Sequence, residues 1–141
     1  MPDIINIWIQ MKAVLRSARQ TVNSELASLN LSGAEGDIII HLLSKNDGLS
    51  QEKLAERLDI DKAAVSRTVN ALYVKGYIHR ERLADDSRTY RVTLTDAAKE
   101  AGEKIKHAYN KVYETALRGI GESEFQCFNN LLEKVYKNLS S

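Results

Sequence analysis

The chain has 141 residues, 43% of them hydrophobic and 28% charged, with a net charge of +1 and one cysteine. That length fits one domain or one subunit of a small oligomer, with a modest core and no internal disulfide, because a lone cysteine closes no bridge. With no charged-then-apolar leader and no apolar run long enough to cross a bilayer, a soluble cytoplasmic protein with no membrane partner is expected.

The first thirty residues carry Ile4, Trp8, Met11, Leu15, Ala18, Val22 and Leu26 at alternating steps of four and three, which predicts a long amphipathic helix. Asn30, Ser32 and Gly33 break it. The run Ile38, Ile39, Ile40, Leu42, Leu43 follows, short enough to suit a buried strand or a buried helix, and is read as a helix. Gly48 closes a loop, Ser50 is placed to cap, and QEKLAERL sets Leu54, Ala55 and Leu58 on one face.

Asp61 can cap the next helix, KAAVSRTVNALYVK, which Gly76 stops. Two helices joined by about three residues, with the small Ala55 where they approach, make a helix-turn-helix pattern over 50–75. On the second helix Val65, Val69, Leu72 and Tyr73 are assigned to the apolar side. Lys62, Ala63, Ser66, Arg67 and Asn70 occupy the other, a face small and polar enough to touch a partner.

YIHRERL and TYRVTLT then alternate in period two around the polar ADDSR, which predicts a two-stranded hairpin over 77–95, placed as a wing. From Thr95 a helix runs through Ala98, Ala101, Ile105, Ala108, Val112 and Ala116. After Gly119 and Gly121 another carries Phe125, Phe128, Leu132, Val135 and Leu139. The apolar stripes of the end helices exceed what the central unit can cover, and a second copy of the chain is the simplest partner, so a homodimer is expected.

Charge is concentrated in the middle. Residues 62–91 hold seven Lys or Arg against three acids, a net +4, which leaves −3 on the remainder. Such a basic stretch suits a polyanion. The major groove of B-DNA admits a helix and presents base edges with distinguishable donors and acceptors. Ala63 and Ala64 would permit close approach, Ser66 and Asn70 can donate and accept, Arg67 can bind guanine or phosphate, and Lys62 would meet backbone. On the wing, Arg80, Arg82 and Arg91 could clamp phosphates. At its tip Arg88, oriented by Asp86, could enter the minor groove.

The stretch LSQEKLAERLDIDKAAVSRTVNALYVKGYIHRERLADDSRTYRVTLT, with the order of helices around it, resembles the MarR-type transcriptional regulators. The resemblance covers essentially the whole chain and includes the D-x-R wing tip at Asp86, Ser87 and Arg88, followed by Leu94 and Thr95. Two departures stand out. Ala97 and Ala98 replace a glycine common after Leu-Thr, and Ser87 replaces a basic residue often found at the tip.

The resemblance implies a mainly α fold, α+β by strict count. This is a winged helix-turn-helix with long dimerisation helices at 1–30 and 97–141 around a DNA-binding unit at 32–96. It implies a homodimeric regulator, most simply a ligand-responsive repressor, that contacts double-stranded DNA through Ser50, Gln51, Lys62, Ala63, Ala64, Ser66, Arg67, Asn70, Arg80, Arg82, Asp86 and Arg88. The competing reading is a winged helix used only for protein contacts.

A small aromatic or lipophilic effector could sit between the dimer helices and the winged unit, near Trp8, Met11, His41 and Tyr109. His41, His79 and His107 form no ligand pair at helical spacing, so no metal is expected. Cys127, near Phe125 and Phe128, reads as an ordinary buried thiol. No catalytic constellation or phosphate-cradling loop is present, and neither enzymatic activity nor a cofactor is expected.

Overall fold

The structure, a computed structural model, describes residues 3–83 and 86–141, with side chains throughout except at 83 and 86–89. Its helices are α1 (Ile4–Leu26), α2 (Gly33–Leu43), α3 (Gln51–Leu58), α4 (Lys62–Val74), α5 (Asp96–Ala116) and α6 (Glu122–Ser140). A single 3-10 turn, Ala27–Leu29, follows α1. The strands are β1 (Leu49–Ser50), β2 (Ile78–Leu83) and β3 (Asp86–Leu94).

Local chemistry accounts for most of the boundaries. Ser32 caps α2 in a reciprocal box: its Oγ accepts from the Glu35 N–H at 3.1 Å, and its own N–H donates to Glu35 Oε1 at 2.8 Å. Ser50 accepts from Lys53 N–H, Asp61 from Ala64 N–H and Thr95 from Ala98 N–H, so α3, α4 and α5 each begin on a side-chain cap. Gly76, at φ 81°, takes the left-handed conformation that lets the chain leave α4 and enter β2. The apolar run at 38–43 is helical, as read, because the Ser32 cap starts a helix there.

The hairpin gains a third strand. Leu49 and Ser50 pair antiparallel with Val92 and Arg91, giving the order β1-β3-β2. Two residues are too short a run to show periodicity, which is why alternation predicts only the hairpin.

Leu26, Ile38, Ile39, Leu54, Val65, Val69, Leu72, Val92 and Ile105 are completely or almost completely buried, drawing α1 to α5 and the sheet into one core. The C-terminal part of α1 belongs to it, whereas Ile4, Ile5, Trp8, Met11, Val14 and Leu15 are exposed. No residue of α6 is buried within the chain. Cys127 accordingly is exposed, which corrects its reading as a core thiol: its aromatic neighbours Phe125 and Phe128 are exposed too. Among the described residues no helix is long and apolar enough to cross a membrane.

Candidate nucleic-acid interface

Burial of Val65, Val69 and Leu72 fixes the rotation of α4, leaving Lys62, Ala63, Ser66, Arg67 and Asn70 exposed together. Ala64 turns partly inward, where its carbonyl accepts from Thr68 Oγ1 at 2.9 Å, so it frames the face more than it forms it. Arg67 makes no ion pair among the described residues. Lys62 is held by Glu52 of α3 at 3.1 Å, with both side chains largely in solvent. An exposed pair of this kind contributes little and exchanges readily, so Lys62 remains available to a phosphate.

Ser50 and Gln51, at the start of α3, are half-buried. The Ser50 hydroxyl oxygen accepts from the Lys53 N–H as the cap of α3, which leaves its own O–H to donate elsewhere.

The end of α4 is tied into the rest of the domain. Lys75 Nζ donates to Glu35 Oε1 at 2.9 Å and to the Asn30 carbonyl at 2.7 Å. Burial works against the charge on Glu35, but the Ser32 and Lys75 hydrogen bonds outweigh it and hold the carboxyl below the usual carboxylate range. Two residues further along α2, Asp37 accepts from Arg19 at 2.7 Å and from the Tyr109 phenol at 2.6 Å, joining α1, α2 and α5. Burial, then the Asp37 carboxylate, push the Tyr109 phenol well above the ordinary phenol range.

Tyr73 departs from its assigned place. It is 50% exposed and lies beyond Asn70 on the outer side of α4, under the Arg80 guanidinium, whose carbon is 4.2 Å from the ring centroid. Arg80 also lies 5.6 Å from the Tyr90 ring, and Arg82 lies 5.0 Å from that ring on its own account. Strand register explains the grouping: Ile78, Arg80 and Arg82 share one face of β2, opposite Leu94, Val92 and Tyr90 of β3. Sequence reasoning found the two arginines and missed both tyrosines. The signal lay in the three-residue step from Asn70 to Tyr73, but an aromatic residue beside Leu72 is more readily assigned to the core.

Arg91 faces elsewhere, donating to the Asp47 carbonyl at 3.0 Å, and so braces the loop before β1 instead of joining the other wing arginines. Asp86, Ser87 and Arg88 belong to β3 by backbone, and their side chains lie outside the described residues.

The proposed effector residues are spread over several environments. Tyr109 lines an open cleft of about 310 Å³ with Ile40, Leu43, Ser44, Asn110 and Tyr113, Lys106 standing at its side. His41 is half-buried, with Nδ1 2.9 Å from the Asp37 carbonyl, and Trp8 and Met11 lie on the exposed part of α1. Among the described residues no cluster of His, Cys, Asp or Glu could hold a metal.

The sequence profile of the MarR family matches residues 38–90, the stretch from α2 into β3 that contains the exposed face of α4. Over that stretch the chain is similar to the MarR family.

The chain is 29% identical over 103 residues to the uncharacterized HTH-type transcriptional regulator YdgJ of Bacillus subtilis. That match takes in 73% of this chain and 63% of the relative, so the chain spans less than two thirds of that protein. A MarR protein from Peptoclostridium difficile has a solved structure similar to this one, with a TM-score of 0.86 and 25% identity over 95% of this chain and 87% of that one. The fold also matches a MarR family regulator from Listeria monocytogenes, solved with 26mer DNA, at a TM-score of 0.85 and 24% identity. That match covers 99% of this chain and 90% of the other. The winged helix-turn-helix architecture expected of the MarR resemblance is the one observed.

Proposed function

We propose that this chain is a sequence-specific, double-stranded DNA-binding transcriptional regulator, a ligand-responsive repressor that binds a palindromic operator as a homodimer. The observation that carries the reading is the exposed face of α4, where Ala63, Ser66, Arg67 and Asn70 form a small, polar surface with one strong donor beside a basic wing. Small side chains allow the helix to sit deep in the major groove, and Arg67 and Asn70 carry the paired donors and acceptors that separate one base edge from another.

Exposed apolar side chains support the dimer. Trp8, Met11 and Leu15 of α1 and Phe125, Phe128, Leu131 and Leu139 of α6 form larger apolar faces than a monomer ordinarily leaves in water. A second copy would cover them and set the two reading helices at the separation of two half-sites, ~10–10.5 bp or one turn of DNA.

A small aromatic or lipophilic effector would use the cleft beside Tyr109, with His41 on the adjoining helix and Trp8 and Met11 brought in by dimerisation. Movement there reaches α4 through α2, because Asp37 holds the dimer-side helices and Glu35 holds Lys75. A modest change in helix separation would then release the operator.

The test is to incubate the purified protein with fragmented DNA of its source genome and sequence what it retains across a salt series. Enrichment of an imperfect palindrome, weakening steeply as salt rises, is the expected result. Retention without sequence preference, or none with or without candidate aromatic ligands, would overturn the reading and favour a protein-contact module.

A further inference from the structure

The side chains Tyr73, Arg80, Tyr90 and Arg82 alternate ring and guanidinium in one continuous strip that runs from the end of α4 onto the wing. Tyr73 continues the outer face of α4 beyond Asn70, and Arg80 and Arg82 stand on the side of β2 that carries Ile78 into the core beside that helix. The strip therefore occupies the angle between helix and wing. Resting on the DNA-binding reading above, we propose that Tyr73 and Tyr90 are positioning residues that hold Arg80 and Arg82 as fixed phosphate contacts.

The argument is geometric. A helix in the major groove and a wing reaching toward the adjacent minor groove have one sugar-phosphate strand between them, and the strip lies where that strand must pass. A guanidinium stacked on a ring uses its flat face for the contact and keeps its N–H donors in the plane, directed outward, where phosphate oxygens accept them. Arg80 lies against both rings, makes no ion pair among the described residues, and has lost much of the rotamer freedom that binding would otherwise have to restrict. Because Tyr73 belongs to the helix and Arg80 to the wing, the stack also joins the two DNA-facing elements. A lysine at 80 would keep the charge but lose the planar fork.

The test uses the full chain and a duplex it retains from its genome, with affinity measured across salt for Tyr73→Leu, Tyr73→Phe, Tyr90→Leu, Tyr90→Phe, Arg80→Lys and Arg80→Ala. Each leucine variant is expected to weaken binding roughly 3- to 10-fold and to flatten the salt dependence, while both phenylalanine variants, which keep the ring, retain wild-type affinity. In an Arg80→Ala background, Tyr73→Leu should add nothing, because it acts through the arginine.

Equal losses from Tyr73→Leu in both backgrounds, or failure of the phenylalanine variants to rescue, would overturn the proposal while leaving DNA binding in place. Should a leucine variant unfold, Arg80→Lys decides: a loss of about threefold or more supports the stack, and unchanged affinity overturns it. Absence of wild-type binding to any duplex would overturn both this proposal and the function on which it rests.

Discussion

Glu35 and Asp37 stand two residues apart on α2 and bind in opposite directions, Glu35 to Lys75 at the end of α4 and Asp37 to Arg19 and Tyr109 on α1 and α5. A two-residue step on a helix turns about 200°, so the same short segment grips the end of α4 on one side and the long helices α1 and α5 on the other. Four predictions follow from the contacts around it and from the faces they leave exposed.

Lys75→Met would leave the Glu35 carboxylate buried, with Oε2 already lacking a partner among the described residues. The expected cost lies at the lower end of roughly 3–5 kcal/mol, because Lys75 keeps part of its side chain in water. The folded Glu35 carboxyl has its pKa lowered, so the unfolded chain binds the proton more readily and the contribution is full above the ordinary carboxylate range. It is lost as pH falls through the lowered folded value. Urea unfolding of wild type and Glu35→Gln should therefore differ most near neutral pH and converge in acid, and a gap that widened in acid would contradict this sign.

Gly36→Ala adds a methyl carbon that meets the Leu26 side chain and comes to 2.9 Å from the Tyr109 hydroxyl. Overpacking where α1, α2 and α5 meet should cost roughly 1–3 kcal/mol, read as a lower denaturant midpoint with an unchanged slope. The displaced phenol would also weaken its 2.6 Å hydrogen bond to Asp37.

Arg67→Ala should weaken operator binding by roughly 1–3 kcal/mol and relax preference at one base position. Lys62→Ala should instead weaken binding to all sequences alike and lower the salt slope by about one. Titrations against the selected operator and a scrambled duplex separate the two, and identical losses on both duplexes for Arg67→Ala would reassign it to the backbone.

Phe128→Asp places a charge within the exposed apolar face of α6. Light scattering coupled to size exclusion should show the wild type as a dimer at micromolar concentration and the variant as a monomer, with operator affinity lost in parallel. A monomeric wild type would remove the basis for the paired half-sites.

The order of helices, the caps at Ser50 and Asp61, the stop at Gly76 and the outward placement of Ser66, Arg67 and Asn70 were all legible in the chain. Each depends on neighbours within one or two turns, and capping chemistry and helical periodicity act over that range. The third strand was not legible, since Leu49 and Ser50 become a strand only by pairing with Val92 and Arg91 more than forty residues away. The positions of Tyr73 and Cys127 were misjudged for a related reason. An aromatic residue or a cysteine among apolar neighbours signals a wish to be covered, and says nothing of whether the chain itself supplies the cover.

By itself the sequence determined the helix-turn-helix, the hairpin and the polar face of α4, because period, cap and turn chemistry are local properties of consecutive residues. Tertiary structure alone decided which arginine serves which purpose. Arg80 and Arg91 both look like wing cations in the sequence, yet one stacks on Tyr73 and the other braces the Asp47 carbonyl. The pleat sends odd and even positions of β2 and β3 to opposite faces, and only the packing of α4 against one of those faces gives the alternation its meaning.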